Sequence, residues 1–348
     1  MEKAERRATM EPTSGRTGRS PGHAPAIVVL IATLVLTGCA GDAPSALDPA
    51  GYGARRVEGL WWLLFWISVA VFAEVLLLLG WALLFRRGER TKVRRGDPVR
   101  FVAVAGAGIP LIILVTVYGL GLRELAALGD GPDDSATTVD VTGHKWWWEV
   151  RYAGRFGATA NEIHIPVGER VRVRLRTADV LHSFWVPELM PKTDLIAGET
   201  TETWLHAERS GSYRGQCAEY CGLQHAHMGL RVVAQPRAEF DAWLAKLDAP
   251  APEPRTEAQR LGQVAFTQGT CAACHTVRGT TANGTVGPDL SDVGARWSLG
   301  AGTLPNDPGH LGGWIANAQV SKPGNAMPPQ PVPAAQLPNL ITYLESLR

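Results

Sequence analysis

Two cysteines, a histidine and a methionine fall within one short stretch, GQCAEYCGLQHAHMG, at residues 215–229. Cys217 and Cys221 are four positions apart, His225 follows four later and Met228 three after that. Thiolate, imidazole and thioether together are soft to borderline ligands, which suit copper, with zinc as the rival. A single blue-copper site takes one cysteine, two histidines and a weak methionine. Two thiolates instead can bridge two metal ions if the loop curls around them. A second histidine must then come from elsewhere, and ADVLHSFWVPEL supplies His182 at a strand end beside aromatic residues. A disulfide between Cys217 and Cys221 is the competing assignment in an oxidising compartment; the number of suitably spaced ligand types favours the metal. His227 is off the pattern and reads as a surface or supporting residue. Met190 does not fit the spacing, and His144, His164 and His206 read as structural.

CAACH at 271–275 is a second pattern, C-x-x-C-H, the attachment signature of a c-type haem. Cys271 and Cys274 would form thioethers with the haem vinyls and His275 would be the proximal iron ligand; a redox dithiol is the alternative. Met327, in KPGNAMPP, is the only methionine after residue 228 and sits in a Pro-rich loop able to hold it against the iron. His310 is its rival and would give bis-histidine ligation. Methionine–histidine ligation raises the reduction potential, as an electron donor to an oxidase needs.

The fifth cysteine, Cys39, closes the apolar run AIVVLIATLVLTGCA. That run is too short to span a bilayer but suits a signal-peptide core. Leu36-Thr37-Gly38-Cys39 resembles a bacterial lipoprotein cleavage box, so residues 1–38 are expected to be removed and Cys39 lipidated; an ordinary signal peptide with a chance cysteine is the alternative. The basic leader is long, and Met10 is a second candidate start.

Residues 60–85 and 101–122 are two apolar runs, the first with Glu74 as its single charge. Each is long enough to cross a bilayer of about 30 Å at about 1.5 Å per residue, and Pro110 is expected to kink the second. RRGERTKVRRGDPVR between them carries seven basic residues, so this loop faces the cytoplasm and both ends of the 55–125 hairpin face outward. An exported lipid anchor at Cys39 requires the same topology. Glu74 either serves a proton path or meets a neighbouring subunit, since a membrane carboxylate avoids lipid.

From 130 to 247 the pattern turns to strands. EIHIPVGERVRVRLRT alternates Val171, Val173 and Leu175 with arginines, which predicts one buried and one wet face. Short strands with Pro/Gly turns suggest a β-sandwich. Twelve tryptophans are present, three of them consecutive at 146–148; on a strand Trp146 and Trp148 would share one face and Trp147 the other. DAPAPEPRTE at 248–257 is a semi-stiff linker, and apolar spacing from 258 to 348 is helical. The net charge of +1 over 348 residues points to no nucleic-acid partner.

C-x-E-x-C-x-x-x-H-x-x-M with an upstream V-L-H-S-F resembles the binuclear copper centre of cytochrome c oxidase subunit II, and the likeness covers residues 55–235. The resemblance implies that Cys217 and Cys221 bridge two coppers. His182 and Met228 would complete one copper, His225 and the Glu219 backbone carbonyl the other. The Glu219 side chain would reach a magnesium ion shared with subunit I. HKWWWE resembles the family's aromatic strand, which puts Trp146 near the surface where electrons arrive. GPDL at 287–290 resembles the class I cytochrome c loop in which the Pro288 carbonyl accepts the His275 ring N–H. Two departures stand out: Ala197-Gly198-Glu199 replaces a common Pro-Gly-Arg, and Ala103 stands where many relatives carry an acid near a proton-channel mouth.

The implied fold is a two-helix transmembrane hairpin, a cupredoxin-like all-β sandwich and an all-α class I cytochrome c domain. The implied function is electron input to a proton-translocating haem–copper oxidase, an oxidoreductase whose oxygen-reducing site lies on another chain. Two bridged coppers share one electron, so charge change is spread and reorganisation is small. Fusion keeps the donor at high effective concentration. Implied partners are subunits I and III, membrane lipid, and an upstream bc1-type complex or small cytochrome c. The implied location is the bacterial cell membrane, multi-pass, with both soluble domains on the outer face. A donor subunit of a copper-containing nitric oxide reductase and a redox-sensing or metal-delivery lipoprotein are the other readings; the hairpin speaks against the lipoprotein.

Overall fold

The computed structural model describes residues 43–85, 98–129, 131 and 137–348. The leader, the Cys39 box and most of the basic loop lie outside the described residues.

Two helices dominate the N-terminal part. Helix α1, Tyr52–Phe85, is 34 residues, about 50 Å long, and helix α2 spans Ile109–Gly129. Their spans, Tyr52–Leu84 and Val102–Gly129, have mean hydropathies of 2.4 and 2.1 and present apolar side chains outward, so both are long and apolar enough to cross a membrane. α1 begins well before the apolar run at 60, because its first turn is held by the β domain. The Gly51 N–H and the Ala54 N–H donate to the Glu188 and Leu189 carbonyls at 3.1 Å each. A Cβ on Gly51 would lie 2.2 Å from the His206 carbonyl oxygen, so only glycine fits that approach. Arg56 joins the helices through Glu124 at 3.1 Å. The end of α2 is pinned by the Trp204 indole donating to the Leu128 carbonyl at 3.0 Å. Ahead of Pro110 the chain is π-helical over Val102–Gly108; proline offers no N–H to the preceding turn, and the wider π pattern takes up that mismatch.

The β domain has ten strands, β1 Thr138–His144, β2 Trp147–Tyr152, β3 Ala158–Ala160, β4 Glu162–Pro166, β5 Val171–Thr177, β6 His182–Trp185, β7 Thr193–Leu195, β8 Thr201–Leu205, β9 Gly211–Cys217 and β10 Gly229–Gln235. They form two five-stranded sheets, ordered β3-β2-β1-β5-β8 and β4-β10-β9-β6-β7. β1 with β5 and β4 with β10 are parallel; the remaining pairs are antiparallel. Val139, Val141, Val171, Val173 and Leu175 of one sheet face Ile163, Ile165, Leu230 and Val232 of the other across a dry core. Each such side chain contributes on the order of 1.5–3 kcal/mol of burial. The β5 arginines on the wet face are paired within the sheet, Arg174 with Asp140 at 2.7 Å and Arg172 with Glu202 at 3.6 Å.

Helix α3, Arg237–Asp248, closes this domain, an element the strand pattern did not announce. It buries Phe240 and Leu247, and Trp243 stacks on His164 with centroids 4.0 Å apart, which makes His164 structural. Its last residue, Asp248, accepts the Phe156 and Gly157 N–H groups at 2.8 and 3.0 Å. The Pro-rich segment then runs extended but held, with the Ala251 N–H on the Arg278 carbonyl at 2.9 Å.

The C-terminal domain holds helices α4 Glu257–Gln268, α5 Pro308–Ser321 and α6 Leu337–Ser346, with a small ladder of β11 Ser298–Leu299 and β12 Leu304–Pro305. α4 starts in a capping box of Thr256 and Gln259. Phe266, Leu340, Tyr343 and Leu344 form the α4–α6 core. A Cβ on Gly262 would lie 2.1 Å from the Asn339 carbonyl, so glycine permits the helices to touch. This domain packs on the β domain. Asp292 accepts from the Thr159 hydroxyl at 2.8 Å, Glu162 accepts the Trp297 N–H at 2.6 Å, and Arg231 lies 4.4 Å from the Trp297 ring centroid.

Candidate metal centres

β9, β10 and β6 bring the first set of residues together. Cys217 ends β9 and Met228 immediately precedes β10, so they face each other at the base of one hairpin, where the Cys217 N–H donates to the Met228 carbonyl at 2.9 Å. β6 pairs with β9 through Phe184 and Cys217, which sets His182 beside the same sulfur. The Cys217 and Cys221 sulfurs are 3.8 Å apart and both thiols are free. His182 Nδ1 is 3.9 Å and the Glu219 carbonyl oxygen 3.2 Å from the Cys217 sulfur. His225 Nδ1 is 3.6 Å and the Met228 sulfur 3.8 Å from the Cys221 sulfur. His182, Cys217, Cys221 and Met228 are buried. Two thiols, two imidazoles, a thioether and a carbonyl converging here, with His225 and Glu219 only partly buried, are a donor set that fits copper.

The surroundings fix these groups. His182 Nε2 bonds Asp179 at 2.8 Å, which leaves Nδ1 to face the sulfurs. The Trp146 indole donates to the Cys221 carbonyl at 2.9 Å, and the wholly buried Trp148 indole reaches the Met228 carbonyl at 3.4 Å. Gly222 has φ +111, and a Cβ there would lie 3.3 Å from the Trp146 ring. The hydrogen bond with Cys221, then the His182 ring, holds the Cys217 thiol well below its ordinary range, while the same contact with Cys217 pushes Cys221 up. The pair thus gives up one proton easily and the second with difficulty. A cation between the sulfurs removes that obstacle. Burial opposes charging of His182, yet Cys217 and Asp179 together hold it above the usual imidazole value.

The second set lies in the C-terminal domain. Cys271 sits in the short 3-10 turn Thr270–Ala273, Cys274 caps that turn, and both thiols are free. His275 Nδ1 bonds the Pro288 carbonyl at 2.8 Å, leaving Nε2 for an iron. A Cβ on Gly287 would lie 2.5 Å from the His275 ring, so the GPDL loop presses directly on it. Burial pushes the His275 pKa down, which keeps the neutral, ligating form. Met327 is set by its backbone. Its N–H donates to Asn325 Oδ1 and its carbonyl accepts from Gln319 Nε2, both at 2.8 Å. His310 is instead exposed in the first turn of α5 and bonded to Asp307 at 2.6 Å. Two thiols beside a back-bonded histidine, with a thioether loop in the same domain, fit a c-type haem.

Residues 154–235 match the family described as the periplasmic domain of cytochrome c oxidase subunit II, and residues 259–348 match cytochrome c. Cytochrome c oxidase subunit 2 of Alkalihalophilus pseudofirmus is 35% identical over 91% of this chain and 94% of its own length. The chain belongs to the cytochrome c oxidase subunit II family. The subunit 2 of Bacillus sp. strain PS3 is 30% identical over 70% of this chain and 72% of its own. The solved periplasmic domain of subunit II from Bradyrhizobium japonicum is 30% identical, covers 33% of this chain and 95% of its own, and has a TM-score of 0.32. The β domain is thus the copper-binding part of a subunit II, the helical domain a cytochrome c that implies haem, and the hairpin its membrane anchor.

Within this subunit II several sequence expectations take a definite place. Trp148 is core, Trp147 stacks on His144 at 4.3 Å, and Trp146 is buried against the copper-side loop. His227 bonds Gln224 at 2.8 Å and supports the loop from outside the donor set. Met190 is buried in the core. The Glu219 carboxylate, expected to reach magnesium, pairs within this chain with Lys192 at 3.3 Å. Sequence reasoning missed Asp179, although its position three residues before His182 was a usable signal. It also missed Gln224 and Lys322, which reach across to the other domain through backbone carbonyls that leave no trace in side-chain pattern.

Proposed function

We propose that this chain carries electrons into a respiratory haem–copper oxidase. The route runs from a haem c held by Cys271, Cys274, His275 and Met327 to a binuclear copper centre, and on to subunit I, where oxygen is reduced to water with proton translocation. Cys217 and Cys221 would hold the copper centre as shared ligands, with His182 and Met228 completing one ion and His225 with the Glu219 carbonyl the other. Bound, the two groups supply one-electron chemistry. The chain's own residues orient and shield. Asp179 fixes the His182 tautomer, Pro288 that of His275, and Trp146 and Trp148 hold the Cys221 and Met228 carbonyls against the core.

The observation that carries this reading is the donor arrangement. Each proposed ligand pair draws one donor from beside Cys217 and one from beside Cys221, as two ions bridged by both sulfurs require. Metal analysis of the full chain, matured with haem and supplied with copper, tests it. Two coppers and one iron per chain are expected. One copper would refute the bridged centre, and iron without copper would leave only a haem protein.

A further inference from the structure

Lys322 is the first residue after α5 and is 2% exposed. A buried ammonium needs a full set of acceptors, and this one has three: the carbonyls of Trp146 at 2.8 Å, His227 at 2.6 Å and Gly300 at 2.6 Å. Two of these belong to the copper domain and one to the helical domain. Burial pushes the ammonium down to about 7, and the three carbonyl oxygens stand in for the water it has lost.

The next two residues continue the contact. The Pro323 carbonyl accepts from Gln224 Nε2 at 2.9 Å. Gly324 has φ +83 and sits so close that a Cβ would lie 3.4 Å from Leu223 and 3.5 Å from the Trp146 ring. Trp146 is therefore approached by a glycine from each domain, Gly222 and Gly324, and is only 6% exposed. The same turn runs on to Met327, since Asn325 Nδ2 donates to the Lys322 carbonyl at 2.6 Å and Asn325 Oδ1 receives the Met327 N–H.

We propose that Lys322-Pro323-Gly324 is a built-in docking element, with Lys322 as the positioning residue that seats the Met327 side of the helical domain on the copper loop over Trp146. This rests on the reading in which electrons pass from haem to copper. The element closes the Trp146 face to any free donor protein, so an external donor must deliver to the helical domain.

Amine acylation of the wild-type holo chain, followed by peptide mass spectrometry, tests the seat without any electron transfer. Lys322 is expected to label at least about tenfold more slowly than the exposed Lys145 and Lys192; labelling at their rate overturns the proposal. Lys322→Met then tests positioning, because it removes the three bonds that join the domains while keeping the side chain's length. Haem-to-copper transfer in the full chain, followed after flash reduction of the haem, is expected to slow at least about tenfold. The haem and copper absorption spectra should stay as in wild type, and a soluble reduced cytochrome c should gain direct access to copper. A wild-type rate in Lys322→Met overturns the proposal even if the domain is stable. If that variant does not fold, labelling of the wild type still decides. No haem-to-copper transfer in wild type would instead remove the electron-input reading, while the labelling result would stand by itself.

Discussion

The copper-side and haem-side residues are held by different means. His182, Cys217 and Met228 stand at the ends of neighbouring strands β6, β9 and β10 whose register is fixed within one sheet, and their donor atoms lie within 4 Å of a cysteine sulfur. His275 and Met327 come from a short turn and a Pro-rich loop, and each is set by its own backbone contact, Pro288 for one and Gln319 with Asn325 for the other. A strand framework organises a ligand set collectively, because one register fixes every side chain on a face. A small helical domain organises its ligands one at a time. Damage should therefore spread on the copper side and stay local on the haem side.

The strongest break is removal of a bridge. Cys221→Ser leaves a single thiolate and is expected to lower copper from two ions per chain to one or none, with oxygen consumption by the assembled oxidase lost. Haem iron should remain at one per chain and reducible. Normal oxygen consumption in this variant would sink the bridged assignment. A weaker break acts through orientation. Asp179→Asn removes the carboxylate charge facing His182 and one of the two acceptor oxygens, and copper affinity should fall about 10–100-fold. Competition with a copper chelator measures it, and an unchanged affinity would show that β6 alone orients the histidine.

Much of this was legible in sequence. The ligand spacing, the C-x-x-C-H signature, the two apolar runs and the alternation on β5 are local patterns, and each is local in the structure too. What was hidden depends on backbone. Helix α3 is an exception, because its signal was present but unread: Phe240, Trp243, Leu244 and Leu247 recur at i, i+3, i+4 and i+7 and all pack on the β core. Trp146 could be assigned to a face but not to a place between two domains, since both glycines that approach it are distant in sequence. Nothing in the sequence singled out Lys322, because carbonyl acceptors have no residue identity. The early start of α1 was likewise invisible, as Gly51 and Ala54 bond main chain of the β domain.

On the haem side, a local change should stay local. Thr256 caps α4 by accepting the Gln259 N–H at 3.2 Å, and Gln259 answers to the Thr256 N–H at 3.1 Å. Thr256→Ala should cost about 1 kcal/mol. Thermal unfolding followed at the haem should shift down while the copper spectrum is unaltered. A matching shift in the copper signal would mean that the two domains unfold as one unit.

The smallest effect sharpens the copper side through pH. Glu149 on β2 bonds His144 at 3.2 Å and Arg151 at 2.6 Å, and the His144 contact, then Arg151, holds its carboxyl below the ordinary value of 4.5 despite burial. A carboxyl whose folded pKa is lowered binds more protons unfolded than folded just below 4.5. Its contribution is thus complete above that value and is lost as pH falls from 4.5 through the folded pKa. The pair is partly exposed, so the contribution is about 0.2–1 kcal/mol. Glu149→Gln should be less stable than wild type by that amount at pH 7, and the difference should vanish as pH falls through the folded pKa. Because β2 also carries Trp148 behind Met228, the copper spectrum of wild type should broaden over the same acid range and that of the variant should not. Identical acid profiles for the two would show that β2 holds the copper loop by packing alone, without help from its surface charge.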